Sequence, residues 1–160
     1  MKRIIYTTWI IATLLISCSR NVEPDRQTDT QPDIFPDYVD VTIPCNIAPM
    51  NFQLNGADSI DTQLIIAGGG TTIQVEGEKG DFDIPLKKWR KLLDEQKGKD
   101  ISFTVCRKDR DEWVAYKPFT MHVAADSIDP WIAYRLIPPG YGIWNAMGIY
   151  QRCLEDFTEK

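Results

Sequence analysis

The side chains to which chemistry near neutral pH would first be assigned are one histidine, His122, and four cysteines. His122 stands in "EWVAYKPFTMHVA" and alternates with Thr120 rather than with Phe119, Met121 and Val123, which puts its imidazole on the solvent side of a strand. No second metal ligand is paired with it. Acid groupings occur, such as Asp81 with Asp83, and Asp109 with Asp111 and Glu112. Both fall in expected turns, where solvation alone accounts for them. As calcium ligands they lack the glycine and closing glutamate of a loop site, and nothing in their spacing sets the separation a glycosidase pair needs. Serine, histidine and acids occur without a nucleophile motif. A CxxCH segment for haem attachment is absent from the sequence. The pattern is that of a non-catalytic chain with neither metal nor cofactor.

Cys18 is the cysteine with a chemistry of its own. In "MKRIIYTTWIIATLLISCSR" two positive charges, Lys2 and Arg3, precede an apolar run from Ile4 to Ile16, the form of a secretion signal. The run is shorter than the roughly 20 residues of a spanning helix. It ends at Leu15-Ile16-Ser17-Cys18, which resembles a bacterial lipobox, so residues 1–17 would be removed and Cys18 would become the lipid-bearing first residue. A diacylglycerol on its sulfur and a further acyl chain on its amine would anchor the chain firmly, each buried methylene contributing about 0.8 kcal/mol. Ser19, in place of an acid, resembles the outer-membrane sorting pattern. The expected location is the outer membrane, lipid-anchored, on the periplasmic or cell-surface face.

The elements that would hold any site follow. Residues 18–36, "CSRNVEPDRQTDTQPDIFP", offer only Val22, Ile34 and Phe35 for burial and read as a lipidated flexible tether, spanning on the order of 25 Å. Residues 37–130 suit one β-sandwich domain. Without Lys2 and Arg3 the chain would carry 16 basic against 23 acidic residues, a balance that argues against nucleic acid and against charge-driven binding to anionic lipid.

Within the domain the dominant period is two. Val39, Val41 and Ile43 share a face, as do Met50, Phe52 and Leu54. Gln63–Ala67 and Thr71–Glu76 form a hairpin across Gly68-Gly69-Gly70, glycines that supply positive φ; no Gly-Lys-Ser/Thr follows to make them a phosphate cradle. "ISFTVCRK" and a strand pair split by Pro118 complete the set. One helix interrupts at about 85–96, with Asp83 as cap, Pro85 in the first turn and Gly98 closing the end. Leu86, Trp89, Leu92 and Leu93 are its apolar stripe, and Arg90–Asp94 and Lys91–Glu95 its i,i+4 pairs. The fold class expected is mainly β: an immunoglobulin- or fibronectin-like two-sheet sandwich with one helix and a C-terminal hairpin or linker.

Residues 131–160 allow a helical stripe, Ile143, Met147, Tyr150, Leu154 and Phe157, or a strand "GIYQRCL" returning against "WIAYRLI" across Pro138-Pro139-Gly140. The strand is preferred, since Gly148 would cost a helix about 1 kcal/mol. Three cysteines remain beside Cys18. Alternation sets Cys106 outward with Ser102 and Thr104, and Cys45 follows Pro44, so the expectation is no structural disulfide among Cys45, Cys106 and Cys153, with one thiol necessarily unpaired. Trp113 and Trp131 are the candidates for stacking on a glycan or a partner, and an exposed coplanar pair of them would favour sugar binding; Trp89, on the helix stripe, reads as core.

"IPCNIAPMNF" (43–52) and "YRLIPPGYGIWNAMGIYQRCL" (134–154) resemble the N-terminal region of Bacteroidetes envelope lipoproteins labelled cytochrome c biosynthesis or TolB-like proteins. The resemblance implies a β-propeller downstream, with a haem-attachment segment. Cys153 stands where an acid is expected after Arg152, and the sequence stops at Lys160, ahead of any blade, so 131–160 reads as a linker toward a missing downstream domain. Three roles follow as expectations: a membrane-tethered, non-enzymatic interaction or scaffold module, a glycan-binding lipoprotein, and a haem-related redox role. The third is nearly excluded by the missing CxxCH.

Overall fold

A computed structural model describes residues 22–136 and 148–159; Cys18, the signal and the Pro138-Pro139-Gly140 turn lie outside them. The architecture is mainly β, several sheets forming a sandwich-like arrangement with one helix among the described residues. In chain order the strands are β1 (Arg26–Gln27), β2 (Ile34–Phe35), β3 (Thr42–Ile43), β4 (Phe52–Leu54), β5 (Thr62–Gly68), β6 (Thr71–Gly77) and β7 (Asp81–Phe82). Then come helix α1 (Leu86–Glu95), β8 (Lys99–Asp109), β9 (Glu112–Ala115), β10 (Phe119–Val123), β11 (Trp131–Leu136) and β12 (Gly148–Cys153).

The large sheet is built on β8, which pairs antiparallel with β5 on one side and with β9 and β10 on the other. Ala115 faces Cys106 while Phe119 faces Phe103, so three residues on one strand oppose two on the other. Pro118, unable to donate to the ladder, sits in that bulge. β6 pairs with β5 through a turn whose Gly69 (φ 55) and Gly70 (φ 89) both adopt left-handed backbone, as a tight hairpin requires. β1 and β3 add in parallel to the far edges of β9 and β10.

The second layer is the β2-β4-β7 sheet together with α1. Between the layers Phe52 meets Phe82 and Phe119, and Phe103 stacks on Phe119 with centroids 5.1 Å apart. Trp89 is fully buried against Phe103, and its indole N–H donates to the Ile47 carbonyl at 3.0 Å. Phe52 and Leu54 of β4, Ile101, Phe103 and Val105 of β8, and Phe119, Met121 and Val123 of β10 lie in this core together with Leu64, Ile66, Ile73 and Val75 of β5 and β6, while Met50 packs against it half-buried.

Several local expectations change. Residues 22–36 are not a free tether: Asp25 and Thr28 donate to the carbonyls of Trp113 and Ala115, and Val22 and Ile34 are buried. The folded part therefore begins by Val22, not Asp37. The Val39–Ile43 strand shrinks to β3, because Asp40 takes a left-handed backbone (φ 54) and turns its carboxylate onto the Thr120 hydroxyl and N–H. At α1 the N-cap is Pro85, and Asp83 instead accepts from the Asn51 amide at 2.9 Å. Arg90 turns away from Asp94 to Asp156 and the Glu155 carbonyl, leaving Asp94 to Lys97 at 3.0 Å. The tail forms the expected antiparallel hairpin, with Trp131 facing Cys153 and Tyr134 facing Tyr150.

Candidate functional site

Two features outside the core could meet a ligand or a partner. The first is a groove of about 290 Å³ on the outer face of the large sheet. Register assembles it: Ala115, Cys106, Gln63 and Glu76 form one row across β9, β8, β5 and β6, and Trp113 and Lys108 face each other in the next. Lys108 Nζ lies 3.7 Å from an Asp61 carboxylate oxygen, and its backbone N–H donates to the Asp61 carbonyl.

Over this face passes the strap of residues 22–25. At one end Val22 exchanges two hydrogen bonds with the Gln74 side chain on β6. At the other, Asp25 clips the Trp113 backbone from both sides, its N–H donating to the carbonyl and its carboxylate accepting from the N–H at 2.7 Å. The groove is what the strap leaves open, lined by Val22, Asp61, Gln63, Glu76, Lys108 and Trp113.

The strap also corrects the reading of Cys106. Its alternation is outward, as expected, yet it is fully buried, on the face of the sheet that residues 22–25 cross. Burial pushes its thiol up to about 11. Cys45 and Cys153 are buried as well, and all three are free thiols, in line with the expectation of no disulfide.

The second feature is the β11–β12 arm. Opposed residues of an antiparallel pair share a face, so Ile132, Tyr134, Leu136 and Tyr150 lie together, the tyrosine rings stacked with centroids 5.9 Å apart. Ile132 and Leu136 are about half exposed, and Ile149 on the opposite face is 81% exposed. None of these joins the hydrophobic core. At its base the arm is fastened to the body: Asn46 holds the Ile128 backbone from both its N–H and its carbonyl and donates to Glu155, and Ala48 N–H donates to the Leu154 carbonyl. Asp156, bonded to Thr158 and Cys153 there, is held below the ordinary carboxylate range.

Of the residues named from sequence, Trp113 and Trp131 are both half-buried and lie on different sheets, Trp113 at the groove and Trp131 at the base of the arm. The structure does not bring them into one exposed platform. His122 is solvent-facing as expected, with Nδ1 2.8 Å from Asp100. Asp109 and Glu112 are engaged by Arg26 at 3.0 and 3.6 Å, which makes that turn an ion-pair cluster. Among the described residues no group of three acids, cysteines or histidines is placed to hold a metal. Gln63 and Glu76 carry no motif; a glutamine in the outward register of an apolar strand is the signal the sequence offers.

No protein-family model matches the chain, and comparison with curated proteins and with solved structures finds no match.

Proposed function

We propose that this chain is a lipoprotein of the bacterial cell envelope, anchored through Cys18 in the outer membrane, whose β-sandwich is a non-catalytic interaction or scaffold module. The supporting observation is the arm: it presents Ile132, Tyr134, Leu136, Tyr150 and Ile149 to solvent while contributing none of them to the core. Ile132, Tyr134, Leu136 and Tyr150 share one face of it, and apolar surface grouped in this way marks a contact site. The 134–154 string supports the same reading, since in the resembled TolB-like, cytochrome c biosynthesis-type proteins it leads into a further domain.

The test has two arms. Cys18→Ser should move the chain from the membrane to the soluble fraction. A photo-crosslinking residue at Ile149 should give one discrete adduct in cells, lost when Ile132 and Leu136 are both changed to Ser. A wild-type chain that fractionates as soluble defeats the anchor, and the lack of any adduct defeats the module.

A second reading, a glycan-binding lipoprotein, is favoured by one observation: Trp113 stands beside carboxylates, an amide and an ammonium in a solvent-open groove.

A further inference from the structure

The Gln63 side chain poses a specific problem. Only 2% of the residue is exposed, yet its amide makes no hydrogen bond to any described residue. The buried side-chain polar atom without a partner among the described residues is the Thr62 hydroxyl, so the Gln63 amide atoms are not sealed in: the small exposed part of this residue is at its amide. The amide lines the groove, so that is the direction from which a partner can reach it.

We propose that the groove is a carbohydrate site that takes one ring of a neutral glycan, with Trp113 and the Gln63 amide as its two determinants. This rests on the second reading above and names the place and the ligand class. A primary amide presents two donors and a carbonyl acceptor, which suits hydroxyls that both donate and accept. Asp61 and Glu76 add acceptors, and Lys108, already drawn toward Asp61, adds a donor. Trp113 supplies the apolar face against which the C–H side of a pyranose packs, and the Asp25 clip fixes its backbone in advance.

The alternatives fit less well. A phosphate or uronate would meet Asp61 and Glu76 with only Lys108 to offset them. A wholly apolar ligand would cover the Gln63 amide and give it no hydrogen-bond partner in exchange for water. At about 290 Å³ the space lies at the small end of ligand pockets, enough for one ring with the rest of the glycan outside.

The experiment is an array of neutral hexose and N-acetylhexosamine oligosaccharides probed with the full chain, followed by calorimetry with the methyl glycoside of the best hit. Trp113→Ala and Gln63→Met should each weaken binding at least tenfold. Gln63→Met should also melt no lower than wild type, because the amide has no partner to lose, whereas a merely structural role would lower the melting temperature. If the chain binds a glycan and both variants bind it equally well, the site is overturned while the glycan reading stands. A flat array defeats both. Preference for uronate-containing oligosaccharides overturns the neutral assignment.

Discussion

Thr62 and Gly77 face one another across β5 and β6, and the Thr62 hydroxyl fills the space a side chain on Gly77 would need. The Phe82 ring closes the same space at 2.8 Å from the position of that added carbon. Gly77 is therefore required by packing and not by an unusual backbone angle. Gly77→Ala should cost about 1–3 kcal/mol, the usual penalty of overpacking, read as a lower urea midpoint at unchanged slope.

The Thr62 hydroxyl is itself buried without a hydrogen-bond partner among the described residues. Thr62→Val keeps the shape and removes the unpaired group. It should raise stability by about 1 kcal/mol, checked by the same urea titration; a loss of stability would show that the hydroxyl has a partner after all.

Trp89 is the largest fully buried side chain among the described residues, and its N–H holds the Ile47 carbonyl in the loop that carries Asn46 and Ala48. Trp89→Phe retains the aromatic packing and leaves that carbonyl unpaired, an expected loss of about 2 kcal/mol. Hydrogen exchange should quicken in residues 45–50 first.

Cys106 makes an alkaline prediction. Its native thiol titrates at about 11 against an ordinary 9.0. Above pH 9 the unfolded chain gives up a proton that the native chain keeps, so stability is fully present below pH 9 and falls as pH rises toward 11, by up to about 1.4 kcal/mol per pH unit. Wild type should therefore lose more stability between pH 8 and pH 10 than Cys106→Ala does. Iodoacetamide at pH 8 should label Cys106 only on unfolding.

Asn46 ties the arm to the body through three side-chain hydrogen bonds. Asn46→Ala should leave the global unfolding free energy within about 1 kcal/mol of wild type, since the core is untouched. Limited proteolysis should nevertheless cut between 126 and 131 markedly faster.

How far the fold could be read in advance depended on where its stability comes from. β5, β6, β8 and β10 bury alternate side chains and announce themselves by period, and so does the stripe of α1. β1 and β2 could not be seen, because Arg26–Gln27 is held by the free edge of β9 and Ile34 by β4. Those partners are distant in sequence, and the segment's own composition is that of a linker. Trp113 was legible as an aromatic at a strand position. Gln63, Glu76 and Lys108 were not, since only the pairing of β6, β5 and β8 draws them around it. Cys106 kept its outward register, yet it is buried on the face that the same segment crosses.

That strap shortens any mooring. With Val22 already bonded to Gln74, a lipidated Cys18 would have only four chain steps, about 14 Å when fully drawn out, between its sulfur-bearing residue and the sheet. A body held so closely would not roam above the bilayer. It would ride at headgroup height with its β6 and β9 side turned down, and what it meets would be chosen by that fixed attitude as much as by affinity.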